Sequence, residues 1–196
     1  MNKSSYFQYN WIKYLFIIIV PLIFWIIIYS DIDQVQADEC VKILYIGDSL
    51  EDEKLQEDIF SNIDNITNQE LKYVSIMSYS AEKELTYEYI RNRIYNVDII
   101  IVSKEFYDEE LLSQIFSPLT TMLKDEFSDS NFINFKDVSY GLKVSTNSTF
   151  NNYYSKNEEV SMFFSPYSLN IGKAYGYGKV ENTSAISIAK YILGGM

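Results

Sequence analysis

The chain has 196 residues, with 16 basic and 27 acidic side chains and a formal net charge of −11, so its surface repels nucleic acid and anionic lipid. It contains no histidine, which removes the commonest general base, the usual pH switch and the most frequent zinc ligand together. A single cysteine, Cys40, excludes an internal disulfide and reads either as a half-buried small hydrophobe or as one half of an intermolecular bridge.

From Tyr14 to Tyr29 the chain reads YLFIIIVPLIFWIIIY, a run without a charge. A helix from Ile12 to Tyr29 rises about 1.5 Å per residue and covers roughly 27 Å, close to the ~30 Å hydrocarbon layer. Trp11 and Tyr14 at one end, and Trp25 and Tyr29 toward the other, suit the headgroup level, while Pro21 kinks the run. Lys3 and Lys13 precede it; Asp31, Asp33, Asp38 and Glu39 follow it. This predicts residues 1–13 in the cytoplasm, a single-pass anchor over 14–29, a polar stalk over 30–39 and an extracytoplasmic domain over 40–196, at the cell membrane. The other reading is a signal peptide cut after Ala37, for which Val35-Gln36-Ala37 supplies the spacing; the length of the apolar run favours the anchor. Asp38 and Glu39 before Cys40 are not a lipoprotein signature.

The remaining domain is long enough for one ordinary core. Val41 to Ile46 is a short apolar, β-rich run stopped by Gly47, and reads as a buried strand. Leu50 to Ile63 follows as a helix with Leu55, Ile59 and Ile63 on one face and Ser49 as its cap. Leu71 to Met77 is the second strand, Ser80 caps a helix with Ile90 and Ile94 in its stripe, and Val97 to Val102 is the third strand. Glu109 to Phe116 and Pro118 to Phe127 read as helices, the second opened by proline. Asp129 to Asp137 reads as loop, Tyr140 to Val144 as a short strand, Thr146 to Glu159 as a polar stretch, Val160 to Phe164 as a further main strand, and Thr183 to Leu193 as a closing helix. Continuous apolar strands alternating with helices predict an α/β fold: one three-layer domain with a mostly parallel sheet.

Gly47-Asp48-Ser49-Leu50 after the first strand resembles the opening block of the GDSL or SGNH hydrolases, in which that serine is the nucleophile. Those enzymes activate it with a late histidine, which this chain lacks, so the block reads as a turn followed by a cap. The loop from Gly172 to Gly178 matches neither the P-loop nor the dinucleotide spacing; it reads as a mobile surface loop or a tyrosine-lined contact. Glu51-Asp52-Glu53 and Asp108-Glu109-Glu110 fall in first turns of predicted helices, where they complement the helix dipole.

In a parallel α/β sheet ligands approach the carboxyl ends of the strands. There the sequence places Asp48 and Ser49, Ser78 and Tyr79, Ser103 and Lys104, and Ser165 with Tyr167. Two readings stand for these residues: helix caps, or the lining of a small polar pocket.

Asp98 with its apolar strand, Ser103-Lys104-Glu105-Phe106, a helix ending at Phe116, and Ser117-Pro118-Leu119 with a short helix form a pattern similar to type 2 periplasmic solute-binding proteins. Tyr140-Gly141-Leu142-Lys143-Val144 resembles the strand that leads there toward the second lobe, and the final helix resembles the one that returns to the first. The resemblance implies the fold of one lobe. Only about fifteen residues lie between Val144 and Val160, where a complete member inserts a second lobe of domain size. The expected function is therefore a non-catalytic binding or accessory module, without cofactor or metal. Its expected partners are the membrane, another membrane or envelope protein and a small polar ligand, with no nucleic acid. The alternatives are a cell-envelope hydrolase working without histidine, or a structural or sensory subunit of a membrane complex.

Overall fold

The computed structural model describes residues 11, 13, 15–26, 37–80, 83–106, 108–127, 132–144, 147–156, 158–175 and 182–194. The chain divides into two units, Met1–Gln36 and Ala37–Met196. In the first, residues 15–26 are helical and exposed. Among the described residues no helix is long and apolar enough to cross a membrane, and residues 14 and 27–29 of the expected anchor lie outside them.

The second unit is a mixed α/β domain. Its elements are β1 (Cys40–Ile46), α1 (Asp52–Ser61), α2 (Ile63–Ile66), β2 (Tyr73–Tyr79), α3 (Lys83–Arg93), β3 (Ile99–Ser103), α4 (Glu109–Ile115), α5 (Thr121–Asp125), β4 (Phe132–Phe135), β5 (Val138–Val144), β6 (Val160–Phe164) and α6 (Ser184–Leu193). One six-stranded sheet runs in the order β2-β1-β3-β6-β5-β4. β1 pairs in parallel with β2 and β3, but β3 with β6, β6 with β5, and β5 with β4 are antiparallel. The expected mostly parallel sheet is therefore corrected. An apolar run such as Val160–Phe164 marks a buried strand whichever way it points, so composition does not carry direction.

Both faces of the sheet are covered, which is why its central strands are apolar without alternation. Val41, Ile43 and Tyr45 face one core with Leu55 and Ile59 of α1, Leu123 of α5, and Ile188, Ala189 and Ile192 of α6. Leu44 and Ile46 face the other, with Ile90, Ile94, Phe116 and Phe163.

Two local expectations change. The helix expected over Leu50 to Ile63 is split at Asn62, whose side-chain amide donates to the Asp58 carbonyl at 2.9 Å and ends α1. The loop expected over Asp129 to Asp137 contains β4, which turns into β5 at Lys136 and Asp137 with φ of 49° and 64°. Two consecutive positive φ values make a primed hairpin turn, here built without its usual glycine.

Candidate functional site

The carboxyl edge of the parallel strands gathers Asp48, Ser49, Ser78, Tyr79, Ser103 and Lys104, as β1, β2 and β3 end side by side. Ser165 and Tyr167 do not join them. Because β6 is antiparallel to β3, pairing Ser103 with Val160 and Ile99 with Phe164, both stand at the opposite edge. Glu158 and Glu159 take their place: Ser103 Oγ donates to Glu158 Oε2 at 3.0 Å, and Lys104 Nζ lies 2.5 Å from Glu159 Oε2.

That edge is closed. The segment before β6 folds over it: Leu50 bridges Tyr154, Glu51 N donates to the Tyr153 carbonyl at 2.9 Å, and Ser155 N donates to the Ser49 carbonyl at 3.2 Å. Phe150 and Tyr154 are buried against fully buried Tyr45, with ring centroids 5.9 and 6.2 Å from it. The Tyr45 hydroxyl turns back to donate to the Asp48 carbonyl at 2.7 Å, and burial pushes its pKa well above the ordinary tyrosine value. Gly47 permits this return: it has φ of 153°, and a Cβ there would lie 2.8 Å from Tyr45 Cζ.

Lys156 closes the rim. Its Nζ lies 3.3 Å from Glu105 Oε1 and 3.6 Å from both Asp48 Oδ2 and Glu158 Oε1. The hydrogen bond with Glu105, then the charges of Glu105, Glu158 and Asp48, hold the ammonium pKa above the usual lysine value. Lys156 is thus a fixed cation and not a base. Ser49 is exposed at φ 69°, but the α1 cap position is Glu51, so the expected capping role is not filled. Ser80 donates to Asp48 Oδ1 at 2.5 Å. Ser103 is fully buried, out of reach of a substrate.

The amino edge of the parallel strands is built differently. Buried Asp98, just before β3, accepts from Lys42 N at 2.8 Å, Ser168 Oγ at 2.5 Å and Asn170 Nδ2 at 3.0 Å. Burial raises its carboxyl pKa, and these three donors offset part of that rise. Asn170 also donates to the Ala37 and Cys40 carbonyls at 3.0 and 2.9 Å, and its Oδ1 accepts from Asn182 Nδ2 at 2.7 Å. Asn182 Oδ1 in turn accepts from Ser184 Oγ at 2.6 Å, at the start of α6. This buried network ties the entry of β1 to the segment after β6 and to α6, and satisfied networks of this kind rigidify.

Upon this frame stand two exposed rings. Ser165 Oγ, fully buried, donates to the Ile94 carbonyl at 2.5 Å and accepts from Tyr167 N at 3.2 Å. Tyr95 and Tyr167 thereby meet with ring centroids 4.3 Å apart and planes inclined at 39°. A pocket lies on each side of the pair. One, of about 160 Å³, is lined by Cys40, Lys42, Asn96, Asp98 and Ser168 among others; the second, of about 290 Å³, by Tyr87, Arg91, Gln114 and Ile115 among others. Both are also lined by Tyr95 and Tyr167. Lys42 and Arg91 are exposed and make no ion pair among the described residues.

Sequence reasoning misses this edge because it looks for ligands only at carboxyl ends. Its one visible signal is the charged pair Lys42 and Asp98, set in or beside otherwise apolar strands. The loop from Gly172 to Gly178 lies partly outside the described residues. No protein-family model matches the chain, and no curated protein matches it.

Proposed function

We propose that the chain is a membrane-anchored, extracytoplasmic, non-catalytic binding module, and that it takes a small acid-bearing ligand at the amino edge of its parallel strands. The observation that carries this reading is the Tyr95–Tyr167 pair, whose backbones are joined through Ser165 and whose rings line two open pockets, one with Lys42 and one with Arg91. Exposed rings offer apolar surface, and Lys42 and Arg91 supply positive charge, that of Lys42 shared with Asp98 in the same pocket.

The opposite edge supports a non-catalytic reading. Its lysine is held protonated, its central serine is buried, and the chain has no histidine to activate Ser49. The resemblance to one lobe of a solute-binding protein agrees with binding as the task. In that reading the carboxyl edge, filled by Phe150 and Tyr154, takes no second lobe. Tethering by the apolar segment before Tyr29 raises the effective concentration of the module at the membrane, which lets a weak site serve a neighbouring membrane protein.

The test is thermal melting of the full chain in lipid nanodiscs against a panel of small carboxylates and phosphates. At least one acid is expected to raise the melting temperature of the wild type and not of Tyr95→Ala or Lys42→Met. A panel without effect, or an effect that both variants retain, contradicts the proposal.

A further inference from the structure

The larger pocket beside the Tyr95–Tyr167 pair, of about 290 Å³, differs in its chemistry from the smaller one. Tyr87 and Arg91 stand four residues apart on α3 and therefore on one face of it, and Tyr95 follows in the 3-10 turn Ile94–Asn96. Gln114 of α4 and Tyr167 from the turn after β6 stand across from them in the same lining. Three tyrosines and one arginine thus share a pocket in which no described lining residue is acidic. The smaller pocket has Lys42 together with Asp98 instead.

That lining selects a class of ligand. The arginine fork recognises an acid, and a wall without carboxylates does not repel one. A tyrosine ring carries negative charge on its face and attracts a cation. An alkylated ammonium suits such a wall best, because it has no N–H group that calls for a carboxylate. A bare cation is repelled by Arg91, so the ammonium has to arrive joined to the acid. Tyr95 and Tyr167 are 62 % and 52 % exposed, which leaves ring area open to a ligand and not spent on the core.

We propose that this pocket takes a zwitterion in which a phosphate is joined to a quaternary ammonium, as in phosphocholine, with Arg91 on the phosphate and Tyr87, Tyr95 and Tyr167 about the ammonium. The inference rests on the reading of the amino edge as an acid-binding site and names the ligand class of that site. The Gln114 amide and the tyrosine hydroxyls add donors to those of Arg91, and a phosphate offers them more acceptor oxygens than a carboxylate does. The net charge of −11 points the same way, since a ligand of small net charge approaches a surface that repels polyanions. The same chemistry occurs free and as the headgroup of phosphatidylcholine.

Calorimetric titration of the full chain in phosphatidylglycerol nanodiscs, whose lipid has no ammonium group, tests the proposal. Phosphocholine is expected to bind about tenfold tighter than inorganic phosphate, the gain of a partly desolvated cation–π contact, and choline alone to bind more weakly than phosphocholine. Tyr87→Leu is expected to erase the difference between phosphocholine and phosphate, and Arg91→Met to abolish the binding of phosphate. In phosphatidylcholine nanodiscs, a several-fold loss of apparent affinity for added phosphocholine identifies the lipid headgroup as the occupant, and an unchanged affinity identifies the free compound; both results uphold the ligand class. Phosphate bound as tightly as phosphocholine, or a preference for phosphocholine that survives Tyr87→Leu, overturns the proposal while the acid-binding reading stands. Binding of neither phosphocholine nor phosphate also overturns it, and the wider acid panel then decides whether that reading falls with it.

Discussion

The Ser165 hydroxyl donates to the Ile94 carbonyl at 2.5 Å across 71 positions of sequence, and this bond joins the turn after β6 to the end of α3. Tyr95 and Tyr167 each lie within two residues of it. Ser165→Ala leaves a buried carbonyl and the Tyr167 N–H short of a partner, a loss of about 1–3 kcal/mol. Urea melts measure that loss, and ring contacts between Tyr95 and Tyr167 in NMR spectra are expected to disappear with it.

Asp98→Asn tests the buried network. Three donors converge on the carboxylate, whereas an amide offers one acceptor oxygen and turns its own N–H groups on the others. Stability is expected to fall by about 1–3 kcal/mol. The pH dependence has a definite sign. Burial raises the folded carboxyl pKa above the ordinary 3.8, so the native state binds this proton more tightly than the unfolded chain does. The contribution of Asp98 therefore grows as pH falls through its folded value, and the gap between wild type and variant is expected to widen on acidification toward about pH 4.

Gly47→Ala tests the closed edge. The new methyl meets the Tyr45 ring at a φ that side chains rarely adopt, and the ring has nowhere to go because Phe150 and Tyr154 pack on it. Overpacking and backbone strain together are expected to remove about 1–3 kcal/mol, measured by denaturant melts.

Tyr191 provides an alkaline marker. Its hydroxyl donates to Asp58 Oδ2 at 2.7 Å, and burial, followed by that bond, pushes its pKa up to about 12. The neutral form stabilises the fold fully below the ordinary value of 10 and loses that contribution as pH rises through about 12. Tyrosinate absorbance is expected to lose one component titrating near about 12 in Tyr191→Phe.

The sequence shows the strands that have no choice. Apart from exposed Lys42 near the start of β1, the runs in β1 and β3 are apolar because both faces are covered, and α6 shows its stripe for the same reason. What is hidden depends on partners far away. The direction of β6 is set by pairing with β3, and the strand's own residues read alike both ways. The hairpin of β4 and β5 escapes notice because Lys136 and Asp137 supply positive φ where glycine or asparagine is usual. Phe150 and Tyr154 stand in a polar stretch rich in asparagine and serine, so nothing local announces that they cap the sheet. Among the candidate site residues, six meet at one edge, while Ser165 and Tyr167 help to build the other.

Hydroxyl-radical footprinting of the full chain in nanodiscs, with and without the most stabilising acid of the panel, tests the placement of the binding edge most directly. The expected result is strong labelling of Tyr95 and Tyr167 that the ligand suppresses, with Phe150 and Tyr154 unlabelled throughout. Ligand protection at Asp48, Tyr79 or Tyr154, with Tyr95 and Tyr167 unchanged, would contradict it.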